Sequence, residues 1–220
     1  MAILNKQSEI EVVGRERLTP AVEVAKKFVA TSMSRPVLTY LELRDNGEVR
    51  ATDSHRMIIL KDIHLYKETV LLNTKTLDLV KGLNYPDLRQ LCKVHEEHVQ
   101  AKLQITKETA FKLIPALKFF ITKTKEFRNN DVRINFVGDN IELSCPDTEL
   151  VVKDLNIKLE QLKEVSNLIT VNTKYMVEAL EAFVKFSSAE TIDIHHQGAL
   201  RPFLMTNDEM EVLILPIRTY

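Results

Sequence analysis

The chain has 220 residues, 45% of them apolar, which is enough for one large core or two small ones. Thirty Lys and Arg against 31 Asp and Glu leave a net charge of -1, which excludes a globally basic nucleic-acid binder but not one whose positive charge is gathered on one face. Five unclustered glycines argue against phosphate-cradling loops, the two cysteines (Cys92 and Cys145) lack metal or redox spacing and read as reduced thiols of a cytosolic protein, and no apolar run approaches the ~18 residues of a membrane span.

The start, MAILNKQSEIEV, has a short apolar stretch broken by an acid and does not read as a secretory leader. Residues 19–32 place Ala21, Val24, Ala25, Phe28 and Val29 on one helical face, with Pro20 suited to the first turn. Residues 37–60 read as a strand, an Asp-Asn-Gly turn and more strand. Next, LLNTKTLDLVKGL (71–83) runs from a β-type stretch through Asn73-Thr74-Lys75 into Leu77, Val80 and Leu83, which repeat at helical spacing. LRQLCKVHEEHVQAKLQ (88–104) reads as a hairpin turning near Glu96-Glu97.

Residues 107–123 put Ala110, Leu113, Ile114, Leu117 and Ile121 on one helical face, although Pro115 should kink or break that helix. Residues 132–152 read as a hairpin with Gly138-Asp139-Asn140 in its turn. TVNTKYMVEALEAF (170–183) again passes through Asn-Thr-Lys into helical spacing, with Met176, Val177, Leu180, Phe183 and, just beyond, Val184. The chain closes with three strands turning at Gln197-Gly198 and Asn207-Asp208, and ends in the apolar LILPIRTY. Asn73-Thr74-Lys75 matches Asn172-Thr173-Lys174, and MIILKDI (57–63) matches ELVVKDL (149–155). This is a repeat of about 92 to 99 residues, too long for a solenoid and suited to a duplicated α+β domain, with a boundary near residue 104 giving units 1–104 and 105–220.

Three clusters invite a catalytic or metal reading, and each is outweighed. Asp53 and His55 share a strand face, but Thr52 and Ser54 point the other way and no oxyanion-type glycines follow. His95 and His98 sit in a turn without HExxH spacing, and His195 and His196 face opposite sides of a strand. No catalytic residue, metal ligand or cofactor is assigned. The lysines say more. Lys26 and Lys27, Lys75 and Lys81, Lys107, Lys112 and Lys118, and Lys174 and Lys185 fall off the apolar stripes of four expected helices. Much of the acid (Glu42, Asp45, Glu48, Asp139, Glu142, Glu190, Asp193) falls on strands. Segregated charge of this kind suits a phosphate backbone held without sequence preference.

Several stretches resemble the bacterial β sliding clamp, the processivity subunit of DNA polymerase III. VRATDSHRM (49–57) is similar to its ATDGHRL segment, and GALRPFLMTNDEMEVLILPIRTY (198–220) is similar to its C-terminus. RPVLTYLEL (35–43) and KEFRNNDVRINFVGDNIELS (125–144) resemble clamp hairpins. The resemblance covers roughly residues 16–220 and implies two clamp domains, helices inside and antiparallel sheets outside, matching the family's second and third domains. It implies a non-enzymatic cytoplasmic protein of DNA replication that encircles duplex DNA and tethers a DNA polymerase and other clamp-motif proteins, after opening by a clamp loader. Six domains close a ring, so two per subunit imply a homotrimer rather than the dimer of the three-domain clamp, and the short form points to a phage, prophage or plasmid origin.

By resemblance, client peptides would dock against Leu38, Thr52, Ser54, His55, Arg56 and Met57 on one wall, and Ala199, Arg201, Leu213, Ile214, Leu215, Pro216, Ile217 and Arg218 on the other, with LILPIRTY an edge strand. Contacts to DNA would come from Lys26, Lys27, Arg35, Lys75, Lys107 and Lys174. Three departures stand out. Ser54 replaces the family's glycine, the first domain lacks its last segment with no counterpart of the family's linker proline, and residues 1–15 have no counterpart and are expected to form a strand at a subunit edge. The alternative is a non-encircling client-peptide-binding module that competes with or regulates a host clamp.

Overall fold

The computed structural model describes residues 16–123, 131–137, 140–145, 151–152, 157–161 and 168–218. The strand expected over residues 1–15, the turn expected at Gly138-Asp139, most of ELVVKDL, and Thr219 and Tyr220 lie outside the described residues.

The first unit opens with α1 (Leu18–Ala25), which tightens into a 3₁₀ turn at Lys26–Phe28. The apolar stripe predicts its buried face: Ala21, Val24, Ala25 and then Phe28 pack on Leu41, Leu43, Val49, Ala51, Ile58 and Leu60. Those come from β1 (Tyr40–Leu43), β2 (Val49–Thr52) and β3 (Arg56–Leu60), followed by β4 (Val70–Asn73) and β5 (Leu79–Val80). Gly47 closes the β1–β2 turn at φ 86°, where a Cβ would lie 2.9 Å from the His64 carbonyl oxygen, so glycine is required there.

The second unit contains β6 (Ala101–Thr106), α2 (Lys107–Lys123), β7 (Asp131–Val137), β8 (Asn140–Ser144), β9 (Val151–Val152), β10 (Ile157–Gln161), β11 (Leu168–Asn172), α3 (Thr173–Phe186), β12 (Thr191–His196), β13 (Phe203–Thr206) and β14 (Met210–Ile214). All strand pairs are antiparallel. A four-stranded sheet runs β11-β7-β8-β9, and a ten-stranded sheet runs β10-β6-β12-β13-β14-β3-β2-β1-β4-β5. The order β11-β7-β8-β9 reproduces β4-β1-β2-β3, so the internal repeat is a repeat of topology. Helices α1, α2 and α3 share one core with the inner faces of both sheets.

The two copies part at the matched Asn-Thr-Lys. Asn172 caps α3, its Oδ1 accepting from the Tyr175 amide at 3.2 Å, and the helix then buries Met176, Val177, Leu180 and Phe183. Asn73 starts in the same way, its Oδ1 accepting from the Lys75 and Thr76 amides, but no helix follows. Leu77 swings to φ 62° and the chain folds back as the β4–β5 hairpin. The helical spacing of Leu77, Val80 and Leu83 is thus overturned, with Leu77 and Leu83 left exposed. Gly82 and Pro86 cap the possible length well short of the ~12–15 residues an unsupported helix needs. Leu77→Gly tests the hairpin directly. It should raise stability by about 1 kcal/mol by relieving the left-handed backbone, whereas in a helix it would lower stability by a similar amount, as read by chemical denaturation.

Three other expectations change. Helix α2 runs unbroken through Pro115, which lies on the exposed side, where the carbonyl it cannot serve is open to water. The 88–104 hairpin is instead the later part of an irregular strap over residues 84–100, with a 3₁₀ turn at Glu96–His98, leading into β6, which pairs with β10 and β12. Residue 104 therefore falls inside a strand of the second unit, and we propose that the junction lies in the strap before Ala101. Finally, the C-terminal strand is not an edge. β14 sits between β13 and β3 and joins the two units into one sheet.

Candidate functional site

The strap crosses the sheet face opposite the helices. There Tyr85, Leu88 and Cys92 bury themselves on Met57, Ile59, Leu71, Leu204 and Leu213, forming a second, smaller core. Strand alternation dictates this: Ile58, Leu60, Val212 and Ile214 face the helices, while Met57, Ile59 and Leu213 face the strap. Tyr85 fixes the strap by accepting from the Thr52 amide at 3.1 Å and donating to the Tyr40 carbonyl at 3.4 Å, and burial pushes its phenol pKa up. Cys92 is a free, buried thiol whose pKa burial also raises.

Beside the strap the sheet opens into a groove of about 620 Å³. Its sheet wall is Leu38, Thr52, Met57, Leu213 and Leu215; its strap wall is Asn84, Tyr85, Pro86, Leu88 and Leu91. Arg35, Val37, Ser54, His55 and Arg56 stand at its head. The volume and apolar lining fit a short segment with apolar anchors.

The head is built by the Thr52–Arg56 turn. The Asp53 carboxylate accepts from the His55 amide at 2.9 Å and the Arg56 amide at 3.0 Å, so it is spent on the backbone rather than on orienting the His55 ring. Ser54 sits at φ 77°, so the turn keeps the left-handed geometry expected of glycine despite the substitution. Arg56 is 5% exposed and crosses between the units. It pairs with Asp53 at 3.0 Å and with Glu178 of α3, donates to the Lys27 carbonyl, and lies between the Phe28 and Tyr175 rings at 4.7 and 4.2 Å.

A second cross-link uses the strap. Arg89 pairs with Glu48 beside the β1–β2 turn and, at 2.8 Å, with Glu211 of β14, which also holds Lys61 at 2.9 Å. Burial works to raise the pKa of Glu48 and Glu211, but hydrogen bonds from Arg89 and Arg50 on the first, and from Lys61 and Cys92 on the second, hold both below the usual carboxylate range. Glu42 and Glu48 are buried beside Arg50, so they do not form the exposed acidic back expected of these strands.

Eight of the expected docking residues line the groove: Leu38, Thr52, Ser54, His55, Arg56, Met57, Leu213 and Leu215. The other six do not. Ile214 points into the helix-side core, Ala199 and Arg201 lie in the β12–β13 turn, and Pro216, Ile217 and Arg218 continue past the groove, where the Ile217 amide donates to the Thr170 carbonyl at 2.7 Å. The strap wall was missed in the sequence because its residues carry no periodicity. Pro86, in Asn84-Tyr85-Pro86, forms part of that wall.

The expected DNA contacts scatter. Lys75 is in the β4–β5 turn, not on a helix, and Arg35 is at the groove head. Lys107 donates to the Ser187 carbonyl past the end of α3, Lys26 pairs with Glu23, and Lys27 pairs with Glu181 at 2.8 Å. Burial opposes ionisation of Glu181, but Lys118 and Lys27 overcome it and draw its pKa down to about 2. Lys174 is exposed on the first turn of α3.

No protein-family model matches the chain. It is 25% identical to the beta sliding clamp of Staphylococcus aureus over an alignment covering 87% of this chain and 59% of that protein. The alignment is 234 positions long, longer than the chain itself, so the relative carries residues with no counterpart here. Among solved structures, the DNA polymerase sliding clamp of Bacillus subtilis superposes with a TM-score of 0.75 at 22% identity, covering 98% of this chain and 68% of that one. The DNA polymerase beta subunit of Streptococcus pyogenes gives 0.73 at 21% identity, covering 97% and 69%. The chain spans about 59% of the length of the curated relative. It is a β-clamp-like protein of α+β fold, built as a short two-unit version of the sliding-clamp architecture.

Proposed function

We propose that the protein is a non-catalytic docking protein of the clamp type, which holds client proteins by a short linear peptide in the groove between the sheet and the strap. The carrying observation is the groove itself: an apolar channel with Met57 and Leu38 from the first unit, Leu213 and Leu215 from the second, and Arg35 and His55 at its head. Apolar anchors would fill the channel, while the head groups meet peptide carbonyls or carboxylates. Titrating a labelled peptide carrying two adjacent apolar anchors into the protein, and into its Leu215→Asp variant, tests this reading. Saturable binding that the variant loses is expected; no binding to either refutes it.

Encirclement of duplex DNA, with tethering of a polymerase, is the second reading. It is favoured by Arg35, Lys174 and Lys185, which are exposed and hold no ion pair among the described residues. The homotrimer has lost its support, because six-domain arithmetic assumes two complete domains and α1 is the only inner helix of the first unit among the described residues. Light scattering with and without circular DNA decides: a ring-forming mass retained on circular but not linear DNA is expected of encirclement, and a monomer in both leaves the docking protein alone.

A further inference from the structure

Helix α2 has two faces. Ala110, Leu113, Ile114, Leu117 and Phe120 are buried, and they account for its place in the core. The opposite side would ordinarily be polar. Here it carries Phe111, Pro115 and Phe119, spaced four residues apart on a single ridge, with Phe111 63% and Phe119 49% exposed. Both rings stand largely outside the core, and an exposed ridge of this kind marks an interaction surface.

The charge around the ridge says what it fits. α2 carries Lys107, Lys112, Lys118 and Lys123 against one acid, Glu108. Lys112 and Lys118 have side chains 71% and 55% exposed. Lys112 is held only by Glu108, itself exposed, in a surface pair of the kind that contributes little and yields to a stronger anion, while Lys118 reaches the half-sheltered Glu181, whose charge Lys27 also balances. The ammonium of Lys123 lies 5.5 Å from the centre of the Phe119 ring. The ridge thus offers flat apolar rings with cations on both flanks.

We infer that this ridge binds single-stranded nucleic acid, with bases stacked on Phe111 and Phe119 and phosphates against Lys112, Lys118 and Lys123. A single strand combines repeated negative charge with open base faces, which is what alternating rings and lysines match. Duplex hides its base faces within the stack, so the rings distinguish single from double strand. The two rings stand about 12 Å apart along the helix, against about 3.4 Å per nucleotide in a stacked strand, so they engage different bases. A second copy of this chain is a poorer occupant, because two such ridges would bring like charges together. The site is independent of the peptide groove, which lies on the other side of the ten-stranded sheet.

Fluorescence anisotropy with labelled oligo(dT), and with duplex of equal length, tests the assignment at low and raised salt. Oligo(dT) should bind with an affinity that falls as salt rises. Phe111→Ala and Phe119→Ala should each weaken it about 5-fold or more while leaving duplex affinity unchanged. Phe119→Tyr should retain binding and Phe119→Leu should weaken it as alanine does, because leucine keeps the apolar area without the stacking face. Both rings are exposed, so the variants should melt as the parent does. The inference is overturned if oligo(dT) does not bind, if the alanine variants bind it as the parent does, or if Phe119→Leu retains it, which would mark an apolar protein-docking ridge. It is equally overturned if the variants change the solution mass, which would make the ridge a contact between copies.

Discussion

Arg56→Ala is expected to lower the unfolding free energy by about 3–5 kcal/mol, the largest effect of any single substitution described here. The side chain is nearly sealed, and its removal strands two carboxylates, Asp53 and Glu178, in surroundings that are themselves only 14% and 17% exposed. It also empties the slot between the Phe28 and Tyr175 rings, removing a cation held over two aromatic faces. Lysine should not restore the loss, since one ammonium cannot reach Asp53, Glu178 and the Lys27 carbonyl together. The measurement is the denaturant midpoint at unchanged slope. A loss below about 1 kcal/mol would show that the pairs are open to solvent and that Arg56 does not pin the two units together.

Leu215→Asp should reduce affinity for an apolar-anchored peptide by about 30-fold or more while leaving the melting temperature close to that of the parent. Leu215 is 41% exposed and borders the groove, so a carboxylate there stays hydrated in the free protein but would have to be desolvated against the anchor in the complex. The backbone contact of this residue, its amide donating to the His55 carbonyl at 2.8 Å, survives the change. Substitution is a cleaner probe than truncation, because removing the chain end would also take away the Ile217 amide that holds it to Thr170. Unchanged affinity in a folded variant would move the docking site elsewhere.

Local chemistry made part of the fold readable in advance. Asp-Asn-Gly forced the β1–β2 turn because only glycine tolerates the His64 carbonyl at Gly47. The unbroken apolar run from Val212 to Leu215 marked a strand, and the structure buries both of its faces, Val212 and Ile214 toward the helices and Leu213 toward the strap. In α2 and α3 the apolar spacing named the centre of each buried face, but it missed Phe120 in α2 and Ala179, Ala182 and Phe186 in α3. The same spacing failed at Leu77, Val80 and Leu83, because periodicity reports which face an element could bury and not whether anything is there to bury it. Pro115 failed in the opposite direction, since a proline on the wet side of a long helix costs less than one facing the core.

Half of the groove was expected from the family resemblance and half was not. Thr52 to Met57 and Leu213 to Leu215 lie in strands or tight turns whose short-range pattern carries their orientation. The strap wall, Asn84 to Leu91, has no repeat and no secondary structure, so its place against Met57 and Leu213 depends on contacts far away in the chain. What the amino-acid sequence determined by itself was the duplicated α+β unit, the buried stripes of its helices and the glycine turn between β1 and β2, because each follows from interactions among near neighbours. What only the tertiary structure decided was that the last strand is central rather than at an edge, that the second Asn-Thr-Lys caps a helix where the first closes a hairpin, and that an irregular strap completes the groove. Each of those depends on which surface is free to receive an element, a property of the assembled sheet rather than of any local stretch of chain.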